Sequence, residues 1–275
     1  MLVYLDGEVL EEHEARISIF DHGLVTGDGA FETLAIYKGQ VFAVTRHLER
    51  LARTCRGMRL EPPDLDEVEK AIRRVVEDNG IVDGKVRITY TAGDSGLGSA
   101  RSNSKRRLIV ACEVGDRTTF PTMVAISPWP RSEIGVLAGL KTTSYAENVI
   151  CLDWALERGA SEVIFKNLKG QLCEGSGSNI FFVMEGQLYT PAVSTGCLAG
   201  VTRDLIVERL GAKEIEIEAE VLFEENVDEA FLSSTLREVQ PIAKVDSREF
   251  SNVPGPVTIQ TARGFQEIIA EGMNP

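Results

Sequence analysis

An amine and a carboxylate, each at the edge of an apolar segment, constrain this chain more than any other feature. Lys141 opens the run Leu140–Val149, and Glu174 lies in the run Leu172–Phe181, ahead of Gly175-Ser176-Gly177-Ser178. A lysine amine forms a Schiff base with a carbonyl. A carboxylate beside a pyridine nitrogen keeps it protonated, so that the ring can accept electrons. Together they are the pair that a pyridoxal 5'-phosphate site requires. Taken singly, Lys141 is the ordinary surface or salt-bridging lysine and Glu174 the ordinary turn acid. Their order, and the anion-binding candidates around them, carry the argument.

Composition narrows the classes. The chain has 275 residues, 43% hydrophobic and 26% charged, which fits a globular protein and sets aside disordered or fibrous chains. A net charge of −13 argues against a nucleic-acid partner, which needs a basic surface. Any anionic ligand must therefore find a local basic pocket. Five scattered cysteines, with no Cys-x-x-Cys pair, argue against a disulfide framework or a zinc site and favour a reducing compartment. Asp6 comes too early for a signal peptide, and no apolar run reaches membrane-spanning length. The expectation is a cytoplasmic protein with no membrane partner.

Hydrophobic periodicity predicts an α/β protein in two parts: a small α+β N-terminal domain over 1–117 and a larger mixed α/β domain over 123–275, joined by a linker at 118–122. In the first part, strands are expected at Met1–Leu5, Ala30–Tyr37, Val86–Thr91 and Arg107–Val114, with a turn at Lys38-Gly39. Thr45 is the expected cap of a helix over Arg46–Gly57, and Asp64 precedes a second over Leu65–Asn79. The Gly- and Ser-rich stretch Gly93–Lys105 reads as a mobile loop. In the second part, helices are expected at Ala146–Gly159, Val201–Leu210 and Val257–Glu271, with strands between them and a hairpin at Gly186.

Three places could hold a phosphate. Gly200-Val201-Thr202 enters a helix, where free backbone N–H groups and a hydroxyl can face an anion, although Thr202 also reads as a plain early helix residue. Ser234 and Thr235 follow a strand and read either as anion ligands or as turn residues. Arg50 is either a phosphate ligand or a solvated helix arginine. Other chemistries find less. Gly93-Asp94-Ser95-Gly96 resembles a serine-protease nucleophile loop, but the chain lacks the all-β turn rhythm and disulfides of that fold. There is no His-Glu-x-x-His, and all three histidines precede Leu48, so no metal site is expected.

The stretch Phe20-Asp21-His22-Gly23-Leu24 through Phe31-Glu32-Thr33, followed by His47-Leu48-Glu49-Arg50-Leu51, resembles the N-terminal signature of class IV (fold-type IV) pyridoxal phosphate enzymes. That group includes branched-chain and D-amino-acid aminotransferases, (R)-amine transaminases and aminodeoxychorismate lyases. The Lys141, Glu174, Gly200-Val201-Thr202 and Ser234-Thr235 segments match it in the same order. The resemblance implies a D-amino-acid aminotransferase-like fold with the cofactor in the cleft between the domains, and at least a homodimer whose subunits lend loops such as the one around His22. It implies Lys141 as the catalytic residue and cofactor link, and Glu174 at the pyridine nitrogen. Arg50, Val201, Thr202 and Thr235, with Ser234 as a weaker candidate, would hold the phosphate, and Tyr145 would lie near the phenolic oxygen.

On the substrate side the resemblance implies Phe31, Thr33, Arg87 and Leu236. Thr33 is similar to the lyases, whereas the Arg-x-His pair of D-amino-acid aminotransferases is absent, and Leu97 stands where many lyases carry arginine. Arg101 could substitute if its loop folds inward. The favoured reaction moves an amino group from an amino acid or amine to a 2-oxo acid. The alternatives are a lyase releasing 4-aminobenzoate and pyruvate, or an enzyme with both activities.

Overall fold

The computed structural model describes every residue except 116 and 118, so the expected linker at 118–122 begins outside the described residues. The chain divides into two compact units. The first comprises Met1–Asp116, Leu140–Tyr145 and Gly272–Pro275; the second comprises Arg117–Gly139 and Ala146–Glu271. This division differs from the sequence boundaries in assigning the Lys141 segment and the last four residues to the first unit.

In the first unit, β1 (Leu2–Leu5), β2 (Glu8–Glu11), β3 (Gly29–Tyr37), β4 (Gln40–Val41), β5 (Gly84–Thr91) and β6 (Arg107–Val114) form one antiparallel sheet in the order β2-β1-β6-β5-β3-β4. β3 turns into β4 through Lys38-Gly39, both at positive φ (49° and 75°), the geometry a two-residue hairpin needs. Besides the short α1 (His22–Val25), the unit has two long helices, α2 (Val44–Gly57) and α3 (Leu65–Asp78). Leu48, Leu51 and Cys55 of α2 and Val68, Ile72 and Val75 of α3 pack on Ala30, Leu34, Ile36, Val86 and Ile88 of the sheet. Asp64 caps α3 as expected, accepting from Asp66 N at 2.9 Å.

Thr45 is not the cap of α2. The helix starts at Val44, with Ala43 at φ 54° in the capping position and no side-chain cap. Distant residues do that work: Ala43 N donates to Met273 O at 2.6 Å, Thr45 N to Asn274 Oδ1 at 3.0 Å, and Arg46 Nε to Pro275 O at 2.9 Å. A cap supplied across 229 residues has no local signal.

The loop expected to be mobile is tied down. His22 N donates to Gly93 O at 2.9 Å, Ser95 N to Phe20 O at 3.0 Å, and Arg101 grips Asp28 with Nε (2.6 Å) and Nη2 (2.5 Å). Arg101 is therefore engaged with Asp28 and with Arg59 O, at 3.0 Å. Gly93 is required where it stands, since it lies at φ 76° and a Cβ would collide with Lys105 O. His22, in the loop expected to reach a neighbouring subunit, is itself 1% exposed and hydrogen-bonded within its own chain. Its Nδ1 lies 3.0 Å from Asp28 Oδ2 and its Nε2 2.9 Å from Gly98 O. Both partners are acceptors, so both ring nitrogens donate and the ring is an imidazolium.

The second unit holds β7 (Thr122–Ile126), β8 (Glu162–Lys166), β9 (Leu172–Gly175), β10 (Asn179–Met184), β11 (Gln187–Pro191), β12 (Lys213–Ile215), β13 (Val227–Ser233), β14 (Gln240–Val245) and β15 (Arg248–Glu249). They form a mixed sheet in the order β12-β11-β10-β13-β14-β7-β8-β9, with β15 on β14. The helices are α4 (Ala146–Leu156), α5 (Val201–Leu210) and α6 (Pro256–Glu271). Both faces of β8 are covered: Ile164 packs with Ile180, Phe182 and Leu232, whereas Val163 and Phe165 pack with Cys151 and Ala155 of α4. That explains its unbroken apolar run. β2, β9 and β14 escape a reading by periodicity because each is short or interrupted by charge or proline.

Leu34 is fully buried at the centre of the first core. Leu34→Ala is expected to cost about 2–5 kcal/mol, read from urea unfolding. An unchanged midpoint would remove Leu34 from the core. The Gly98 carbonyl and Asp28 raise the His22 pKa above its ordinary 6.5, against burial and Arg101. The stabilisation is therefore fully present below pH 6.5 and lost as pH rises through the raised value. NMR titration of the ring, with amide exchange at Gly98–Arg101, should show loosening on the alkaline side; a ring that titrates below 6.5 would contradict it.

Candidate active site

Lys141, Tyr145, Arg50, Phe31, Thr33 and Arg87 belong to the first unit, and Glu174, Val201, Thr202, Ser234, Thr235 and Leu236 to the second. In the first unit the period of two along β3 places its odd residues on the side away from the helices. Phe31 lies opposite Thr89 and Thr33 opposite Arg87 on β5, so these four share that face. The Lys141 segment is laid against it. Phe31 N donates to Lys141 O at 3.1 Å, Thr143 N donates to Gly29 O at 2.8 Å, and Lys141 N reaches Thr54 Oγ1 at 3.3 Å. Lys141 Nζ then sits 4.3 Å from the Phe31 ring centroid, and the Arg87 guanidinium 3.9 Å from the same centroid. Tyr145 meets that ring edge-on at 5.3 Å. One aromatic ring thus gathers an amine, a guanidinium and a phenol. Burial lowers the Arg87 pKa from 12.5, with Tyr145 opposing, yet leaves the side chain cationic.

Arg50 is not a solvated helix arginine. It is buried and pairs bidentately with Glu32, Nε to Oε1 at 2.8 Å and Nη2 to Oε2 at 2.7 Å, while His47 Nδ1 lies 2.7 Å from Glu32 Oε2. Burial pushes Glu32 upward, but Arg50 and the His47 hydrogen bond outweigh it and hold the carboxyl well below the usual range. Burial lowers His47, so it donates from Nδ1 as a neutral ring. Glu32 orients Arg50, and sequence reasoning assigned it no role. Its one signal was an acid inside an apolar strand.

In the second unit Glu174 is the penultimate residue of the fully buried β9. Its Oε1 accepts from Arg131 Nη1 at 2.6 Å and its Oε2 from Leu198 N at 2.9 Å. The following turn closes with Gly175 N to Ser178 O at 2.7 Å, and a Cβ on Gly175 would collide with Ser178 Oγ. Buried Glu162 of β8 braces this turn, accepting from Ser176 N at 3.0 Å and Ser178 Oγ at 2.9 Å. Its Oε2 also lies 3.4 Å from Arg237 Nη2, beyond the Ser234–Thr235 turn. Neither Glu162 nor Arg131 was picked out from sequence.

The second unit's phosphate candidates collect at one end of the paired β10 and β13. Asn179 lies opposite Ser233, and α5 starts beside Asn179, so close that a Cβ on Gly200 would collide with Asn179 Oδ1. Gly200 provides no side-chain cap, and the first helical bond runs from Asp204 N to Gly200 O at 2.8 Å. The amides of Val201 and Thr202 lie in the uncapped first turn, the position that favours an anion. Ser234 braces its own turn, its Oγ accepting from Arg237 N at 3.2 Å. Thr235 and Leu236 follow it, half-buried.

The family described as amino-transferase class IV matches residues 29–245. The D-alanine aminotransferase of Staphylococcus haemolyticus is 29% identical over 275 residues, covering 97% of each chain. The solved branched-chain aminotransferase of Thermoproteus uzoniensis, with norvaline, superposes with a TM-score of 0.90 at 29% identity, covering 98% of this chain and 95% of that one. The solved T.th. branched-chain amino acid aminotransferase with pyridoxamine 5'-phosphate gives a TM-score of 0.89 at 25% identity, covering 98% and 94%. Fold and length agree, and the chain belongs to the class IV aminotransferases.

Proposed function

We propose that this transaminase exchanges an amino group between an amino acid and a 2-oxo acid, using pyridoxal 5'-phosphate attached through Lys141. The observation that carries the reading is Lys141 Nζ at 4.3 Å from the Phe31 centroid, beside Arg87 and Tyr145. It is an amine on a backbone fixed to β3, next to a second cation able to hold a carboxylate. The donor set fits the cofactor: an amine, a carboxylate with oriented oxygens, and uncapped helix amides near hydroxyls. A similar structure that holds pyridoxamine 5'-phosphate supports the same choice.

When bound, the cofactor supplies a protonated ring that takes up the electron pair left as a C–H bond breaks. Lys141 would hold the cofactor through Nζ, and its free amine would be the base for a proton on the donor's α-carbon. Glu174 would accept the ring N–H and keep that proton in place. Arg50, oriented by Glu32, would hold the phosphate with the Val201 amide, Thr202 and Thr235, whereas the Ser234 hydroxyl is engaged in its own turn. Tyr145 donates toward the phenolic oxygen. Arg87 holds a substrate carboxylate, with Phe31, Thr33 and Leu236 shaping the pocket. The aminotransferase names of the relatives favour transfer over the lyase reaction.

Lys141→Ala is expected to lower turnover by about a thousandfold or more while leaving the melting temperature unchanged. Unchanged turnover would sink the assignment. Single half-reactions with D-alanine, D-glutamate, L-leucine, L-glutamate and (R)-1-phenylethylamine, followed by the visible band, name the donor. If no donor changes the band, the lyase returns. The reading extends to a cytoplasmic homodimer, supported by five free, buried cysteines and by Ile19 and Leu97, each 73% exposed. Light scattering should give twice the chain mass, and fractionation should recover the protein with the cytosol; a monomer or a membrane fraction would contradict it.

A further inference from the structure

Glu174 is held from two sides. Arg131 Nη1 donates to Oε1 at 2.6 Å, and Leu198 N donates to Oε2 at 2.9 Å. Both partners are N–H donors, the pattern that an ionised carboxylate accepts. Arg131 is itself immobilised. Its amide donates to Lys166 O at 2.8 Å, its guanidinium lies 3.9 Å from the Phe165 centroid, and its side chain is 13% exposed. Glu147 Oε2 approaches Nε at 3.6 Å, too far for a hydrogen bond. Among the described residues, Nε and Nη2 make no hydrogen bond, so the contact to Glu174 is the guanidinium's hydrogen bond. Burial opposes that charge, but Glu174 and Glu147 outweigh it and raise the Arg131 pKa.

We infer that Arg131 is the positioning residue of the Glu174 contact. It keeps a buried carboxylate ionised and turned toward the cofactor ring, so that the grip on the ring nitrogen does not change with pH. The inference rests on the cofactor reading above and deepens it. The other titratable groups near Glu174 do not supply this control. Burial pushes the Cys173 thiol far up and the Cys197 thiol to about 12, so both stay neutral, and Glu147 carries the wrong sign. Without Arg131, burial favours the protonated acid, which cannot hold a ring N–H in the same way.

The probe is pyridoxamine 5'-phosphate, which forms no covalent bond with Lys141. Its dissociation constant is measured by fluorescence on cofactor-free protein from pH 5.5 to 8.5, for the wild type, Arg131→Met, Arg131→Gln, Arg131→Lys and Arg131→Met/Glu174→Gln. The ligand's own titration cancels in the ratio of variant to wild type. For the Met and Gln variants that ratio is expected to grow about tenfold per pH unit below the released Glu174 pKa. Lysine should restore a flat ratio, and the double variant, with nothing left to titrate, should also be flat. A ratio above one that stays constant with pH in both the Met and Gln variants would mean a merely structural arginine and overturn the inference. If the wild type binds no pyridoxamine 5'-phosphate, the cofactor reading fails first, and the two failures are distinct. Melting curves identify any variant that does not fold, and the remaining one decides.

Discussion

Alternation along one strand organises the first unit. β3 points Ala30, Leu34 and Ile36 into the core under α2 and α3, and Phe31 and Thr33 the other way. A slip of one residue would exchange the two sets, burying Thr33 with the core and turning Leu34 outward. The register with β5 guards against that, because it runs without interruption from Gly29↔Thr91 to Ile36↔Gly84. Glu32 shows how demanding the arrangement is. It is a carboxylate on the core side of the strand, and it is tolerated because Arg50 and His47 meet both oxygens.

Much of this was legible in the chain. Lys141 and Glu174 stand out because a charged residue at the edge of an apolar run needs a reason, and the helix pattern marked α2, α3, α5 and α6 nearly to their ends. Less was visible wherever the partner is distant in sequence. Arg50 reads as an exposed arginine until Glu32 is folded beneath it. Thr45 has the chemistry of a helix cap, but Asn274 supplies the acceptor. The glycine- and serine-rich composition of Gly93–Lys105 suggested mobility, whereas Asp28 binds Arg101 and His22 and fixes the loop. Arg131 and Glu162 carried no signal, because each acts on a residue that lies well apart from it in the chain.

An acidic chain that handles anionic substrates must confine its positive charge. With a net charge of −13, the surface as a whole repels carboxylates and phosphates. In each unit the buried or ring-bound cations are held at short range, Arg87 and Lys141 against one ring and Arg50 against one carboxylate in the first, Arg131 against one carboxylate in the second. The Arg50–Glu32 and Arg131–Glu174 pairs resist salt screening, because they are largely shielded from solvent.

The return of residues 272–275 to the first unit has a consequence for how the protein is made. Met273, Asn274 and Pro275 complete the start of α2, the helix that carries His47 and Arg50. Those three residues leave the ribosome after the entire second unit has been synthesised. The first long helix therefore stays without these partners until the whole of the second unit has been made, so a newly synthesised first unit is incomplete at its oldest helix.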